Sequence, residues 1–166
     1  MNFSTMRRNL TAVFVFISLL IVIVPVAAAP PAQAIEGVFT TTIFTDASCT
    51  SPVGFCSAGT VTGDIEGDVD VALTTATFTE IDGIPTLVYS TNITITTNRG
   101  TTSGVSNGTI NLITSELNAV FELTEGTGYY TNRQGVLIVS GTSNPATGVE
   151  VLPFTGTLTV VPPGQS

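Results

Sequence analysis

Between residues 58 and 74 apolar and polar side chains alternate without a break. Odd positions carry Val61, Ile65, Val69, Val71 and Leu73, with Gly59, Gly63 and Gly67 among them, while even positions carry Thr60, Thr62, Asp64, Glu66, Asp68 and Asp70. A period of two sends successive side chains to opposite faces of a β-strand, so one face of this stretch suits a core and the other suits water. At about 3.3 Å per residue the run is far longer than an ordinary strand and has to bend. Glycine at every fourth position on the apolar face permits tight coiling, as at the corners of a small barrel.

The same alternation predicts strands at residues 35–45, 86–97, 101–113, 116–124, 135–142 and 149–160. Leu87, Tyr89, Ile93 and Ile95 share one face of the second of these, and Leu117, Ala119, Phe121 and Leu123 share one face of the fourth. Asn107-Gly108 marks a turn or a bulge. In the last strand Val149 and Val151 lie at odd positions and Phe154, Leu158 and Val160 at even ones; a bulge or bend at Pro153 is expected to absorb the change of phase. Helix signals are nearly absent after residue 34. Seven or eight strands on short connections predict an all-β chain, a single antiparallel eight-stranded barrel with a β-sandwich as the alternative. Phe39, Phe78, Phe121 and Phe154 are expected to fill its interior.

The N-terminus adds an address. Residues 1–34 read as a signal peptide: Arg7 and Arg8 open it, an apolar run follows over residues 12–24, Pro25 breaks the run, and Ala32-Gln33-Ala34 fits a small-x-small cleavage site. A cut after Ala29 and an uncleaved anchor are the alternatives. The barrel domain then spans residues 35–161, and residues 162–166 form a disordered tail. Cys49 and Cys56 are the only cysteines and sit close together in a Ser/Pro/Gly-rich segment. A secreted protein, extracellular or periplasmic, would join them in a structural disulfide. A redox pair or a metal site is the alternative, but the spacing is not C-x-x-C and there is no histidine.

Charge narrows the chemistry. Only 10% of the 166 residues are charged, against the usual ~25%, although 43% are hydrophobic, and the formal net charge is -8. Past residue 34 only Arg99 and Arg133 oppose the twelve carboxylates. Such a surface repels nucleic acid and anionic membranes, so neither is an expected partner. With no His and no Lys, the inventory excludes Ser-His-Asp and Cys-His catalysis, His-ligated zinc and Lys Schiff bases. Acid–base chemistry falls to Asp, Glu, Tyr or Cys.

Several motifs compete with plainer explanations. Asp64, Glu66, Asp68 and Asp70 bring enough carboxylates for Ca²⁺, but strict alternation spreads them along one strand face, as a solvated outer surface requires. Leu152-Pro153-Phe154-Thr155-Gly156 matches a sortase signal but lacks the apolar segment and basic tail that such a signal needs. Asn92-Ile93-Thr94 and Asn107-Gly108-Thr109 match the N-glycosylation pattern, as chance allows in so Thr-rich a chain. Tyr129, Tyr130 and Arg133 gather in one turn, where they either hydrogen-bond a ligand's polar head or pin the turn; Tyr89 on its strand is the fourth candidate ligand-binding residue.

Gly59-Thr60-Val61-Thr62-Gly63, Gly126-Thr127-Gly128-Tyr129-Tyr130, Gly135, Val139-Ser140-Gly141-Thr142 and Phe154-Thr155-Gly156-Thr157-Leu158 follow one another in an order that resembles the allene oxide cyclase-like and dirigent-like barrel proteins. The resemblance runs roughly over residues 37–160; Arg133 stands where a small residue is commoner. It implies an eight-stranded barrel with an apolar cavity that needs no metal or redox cofactor, in a family whose members either cyclise unsaturated substrates or bind and orient phenolic ones. No catalytic residue carries over to a position in this chain. Three functions are therefore expected in turn: binding of a small apolar or aromatic ligand; cofactor-independent cyclisation or isomerisation; and a structural or surface-interaction role with the barrel filled. The oligomeric state is not encoded in these patterns.

Overall fold

The computed structural model describes residues 31–144 and 147–162. Of the expected signal peptide only the last four residues fall in that range, and the expected tail lies outside it except for Pro162. Eight strands follow in order: β1 (Gln33–Phe44), β2 (Cys56–Gly63), β3 (Gly67–Ile81), β4 (Ile84–Thr97), β5 (Gly100–Asn111), β6 (Glu116–Gly126), β7 (Arg133–Asn144) and β8 (Val149–Val160), with a 3-10 turn at Gly128–Tyr130. Each strand pairs antiparallel with the next, and β8 pairs with β1, so the sheet is a closed barrel. Closure satisfies the backbone groups that an open sheet leaves at its edges. The sandwich alternative is thereby excluded. No helix among the described residues is long and apolar enough to cross a membrane.

The long alternating run proves to be two strands. Gly63 takes φ 117° and the chain turns over Asp64–Glu66 before β3 starts at Gly67. The alternation passes through this turn because Ile65 tucks its side chain into the core while Asp64 and Glu66 stay exposed. Asp68 and Asp70 are exposed on β3, so the acidic row is solvated but divided between a turn and a strand. Asn107-Gly108 is neither turn nor bulge: both residues pair continuously with β4. The register shifts lie elsewhere, at Leu73/Thr75 in β3 and opposite Ser103/Gly104 between β5 and β6.

The expected bend at Pro153 is also absent. β8 keeps one register against β1 from Leu158 to Val149. Its even residues Leu152, Phe154 and Leu158 are buried, and so is Glu150, while Val149 and Val151 face outward and are exposed. Hydrophobicity alone misleads about phase here, because an exposed valine is common in a folded protein whereas a buried glutamate is rare.

One end of the barrel is packed solid. Phe39 stacks on Phe154 and Phe121, with ring centroids 4.8 and 5.5 Å apart, and Val61, Val69, Ile95, Leu123, Leu137 and Leu158 fill the space towards Tyr130. Gly37 lies opposite Phe154 in the β1–β8 ladder. A Cβ there would come within 2.7 Å of the phenyl ring, so only glycine admits it. The fourth expected core phenylalanine, Phe78, is 75% exposed beyond the bulge in β3. It belongs to the rim of the other end.

That other end, called the mouth below, collects the β1–β2, β3–β4, β5–β6 and β7–β8 connections. Cys49 and Cys56 are joined in a disulfide that closes the β1–β2 loop. Ser51 Oγ donates to the Leu73 carbonyl at 2.6 Å and the Leu73 amide donates to Phe55 O at 3.1 Å, which fastens the loop against β3 at its bulge. Because the loop is short, the double substitution Cys49→Ser/Cys56→Ser should cost about 2.5 kcal/mol in the chain-entropy model. Chemical denaturation should report that loss with the far-UV β signature intact; unchanged stability would show that the bridge does not constrain the unfolded chain.

Candidate functional site

The barrel interior opens into a cavity of about 400 Å³ on the mouth side of Phe39 and Phe121. Its walls are mainly apolar: Val71, Leu73, Leu87, Ile110, Leu117 and Leu152 line it. The bulge in β3 matters here. Before it the odd residues Val69, Val71 and Leu73 face inward; after it the even residues Ala76 and Phe78 do, so β3 lines the cavity along its whole upper half. Val53 and Phe55 from the disulfide loop join Phe78 at the opening, and all three are exposed.

Two polar pairs interrupt this lining. Thr41 on β1 and Glu150 on β8 are register partners, both buried, and Thr41 Oγ1 donates to Glu150 Oε2 at 2.8 Å. Thr91 on β4 and Ser106 on β5 are also register partners and more deeply buried still, at 2% and 0% exposure. Their hydroxyls have no hydrogen-bond partner among the described residues. In the ring of strands β2 and β3 separate β1 from β4, and β6 and β7 separate β5 from β8, so the two pairs occupy opposite walls.

Tyr89 stands two residues from Thr91 on β4 and faces the same cavity. It fits because its partner in β5 is Gly108: a Cβ there would lie 2.6 Å from the phenol oxygen. Burial, and then the negative charge of Glu150, push the Tyr89 pKa above its ordinary value of 10.0. Both effects disfavour the phenolate, so Tyr89 is a neutral hydrogen-bond donor.

Of the four expected ligand-binding residues, then, only Tyr89 lines the cavity. Tyr129, Tyr130 and Arg133 are at the closed end. Tyr130 is buried and plugs it; Tyr129 meets Tyr130 edge-on at 5.2 Å. Arg99 and Arg133 stand over the Tyr129 ring at 3.4 and 3.9 Å from its centroid, a cation–π arrangement. The Tyr129 hydroxyl donates to Gln33 Oε1 at 3.3 Å, which ties the turn to the start of β1. These contacts tie the turn together, and none of the three residues lines the mouth-side cavity. Glu150, Thr41, Thr91 and Ser106 were missed. The one available signal was the single carboxylate in phase with Leu152, Phe154 and Leu158 on β8.

No protein-family model, no curated protein and no solved structure matches the chain.

The geometry yields two expectations. A buried hydroxyl without a partner costs desolvation that nothing returns, so Thr91→Val should stabilise the ligand-free protein by about 1 kcal/mol. A comparable loss in thermal or urea denaturation would mean that the hydroxyl is satisfied. The second concerns alkali. Unfolded, Tyr89 ionises near its ordinary 10.0; folded, it keeps its proton. Its contribution to stability is therefore whole below pH 10.0 and is lost as pH rises above that value. Comparing absorbance titrations of the protein and its Tyr89→Phe variant should show the Tyr89 phenol ionising only as the barrel unfolds. Ionisation of all the tyrosines before unfolding contradicts it.

Proposed function

We propose that this protein is a secreted barrel that binds a small apolar molecule in its mouth-side cavity. The cavity itself carries the reading: about 400 Å³ of largely apolar space, open at one end, falls within the range of about 300–1,000 Å³ usual for small-molecule sites. A barrel serving only as a scaffold has no need of it, since filling such a space with side chains adds stability. The Cys49–Cys56 disulfide and the apolar N-terminal segment support export. The resemblance to allene oxide cyclase-like and dirigent-like barrels supports the same use of the interior.

One observation favours a second reading, a cofactor-independent isomerase or cyclase. Glu150 and Tyr89 face one cavity as a carboxylate and a neutral phenol, which suit a base and an acid. Recovery of bound ligand chemically unchanged argues for binding alone. Conversion that disappears in Glu150→Gln while binding persists argues for catalysis.

N-phenylnaphthylamine, a neutral apolar fluorophore, tests the binding reading. Its emission should rise on mixing with the protein and saturate at one equivalent. At a concentration a hundredfold above Kd it should stabilise the fold by about 2.7 kcal/mol. Ala76→Phe places a ring inside the opening and should weaken binding roughly tenfold or more, a loss of about 1.4 kcal/mol. Absence of saturable binding by this probe and by a panel of lipids and phenolics would sink the proposal.

A further inference from the structure

Carboxylates occur at both ends of the barrel, but the described arginines stand only at the closed one. Around the mouth stand Asp46, Glu80, Asp82 and Glu116, all exposed. Inside it, among the described residues, the only acidic side chain in the lining is Glu150, buried on β8. Among the described residues the cations are Arg99 and Arg133, and both are held at the closed end against Tyr129. A carboxylate, sulfonate or phosphate entering the mouth thus passes four negative charges and meets a fifth, with no positive charge to receive it. Repulsion of this kind grows as water is displaced and the local dielectric falls.

Among the described residues the hydrogen bond that Glu150 receives comes from β1. Thr41 supplies one neutral hydrogen bond to Oε2. A carboxylate offers about four acceptor positions, and a buried charge is costly unless paired. Phe39, Phe121 and Tyr89 line the same space, and aromatic rings can attract cations. On the opposite wall the unpartnered hydroxyls of Thr91 and Ser106 offer both donors and acceptors. An apolar cavity with an acidic side chain on one wall is complementary to one kind of occupant.

We propose that the cavity selects a protonated amine on an apolar or aromatic body, with the ammonium against Glu150 and the body between Phe39, Phe121 and the walls of β3 to β5. The proposal rests on the cavity being a ligand site and adds the class of ligand. Thr91 and Ser106 then serve a second polar group at the far side of the molecule.

Octylamine, octanol and octanoate share one apolar chain and differ only in the head. Each is to be titrated against the whole mature protein at neutral pH, by calorimetry and by displacement of N-phenylnaphthylamine. Octylamine should bind most tightly, octanol next and octanoate least, with roughly tenfold or more between the amine and the acid. High salt screens attraction to the exposed rim carboxylates but leaves a buried pair largely intact, so the order should persist in high salt. Glu150→Gln should bring octylamine down to the level of octanol without changing octanol itself. Thr41→Val keeps Glu150 and removes the hydrogen bond from Thr41; it should maintain or sharpen the preference, and it serves if Glu150→Gln does not fold.

Octanoate binding as tightly as octylamine, or an amine preference that survives Glu150→Gln or vanishes in salt, overturns the assignment and leaves the cavity reading standing. Failure of all three compounds and of the fluorophore overturns both.

Discussion

Everything else in the molecule depends on the ladder that joins the first strand to the last. β1 and β8 pair in one unbroken register from Gln33 opposite Leu158 to Thr42 opposite Val149. Without it the sheet has two open edges and no interior. With it, the alternation along each strand becomes a division between inside and outside. The same register places Gly37 against Phe154, where the absence of a side chain admits a ring, and Thr41 against Glu150, where a hydroxyl meets a carboxylate. A shift by one residue would expel Phe154 and Glu150 together. The closing seam therefore fixes both the packed floor and the polar wall above it.

The two halves of the barrel differ because their inward residues differ in size. Towards the closed end every layer holds a large apolar side chain, with Phe39 and Phe154 in contact at the centre. Towards the mouth, Thr41, Ser57, Ala76, Thr91 and Ser106 take inward positions, and Gly108 leaves room for Tyr89. Eight strands enclose a space that side chains can just fill, so substituting small residues in one half is enough to open a cavity. The disulfide-closed loop then supplies Val53 and Phe55 to the opening, and its bond to Leu73 holds them over β3.

The strands were legible in the sequence because a period of two is a strong local signal, and in β4 and β6 it named the buried face correctly. Three features escaped for physical reasons. Alternation continued across the turn at Asp64–Glu66 because Ile65 stays buried there, so two strands looked like one. β8 was given a bend it does not have because Val149 and Val151 are apolar yet exposed, while Glu150 is charged yet buried. The site itself was hidden for a different reason. Thr91 and Ser106 are ordinary strand residues in a Thr-rich chain. Only the register of β4 on β5 pairs them, and only closure sets them across from Glu150.

That juxtaposition separates a cavity left by imperfect packing from one that is maintained. A packing defect in a β-barrel is lined by whatever apolar residues surround it, and it stays dry. Here the smallest and most polar inward side chains lie in the half that is open, and they lie in register pairs on facing walls. Among the described residues each choice costs stability: a carboxylate bonded to a neutral hydroxyl, two hydroxyls without a partner, and contacts forgone around the void. Leucine or valine at the same positions would remove all three penalties without disturbing the alternation that builds the strands. The costs fall on one end of the molecule and spare the other, where glycine and phenylalanine are fitted closely. Such a distribution is expected of a fold whose closed end supplies rigidity so that its open end can remain unfilled.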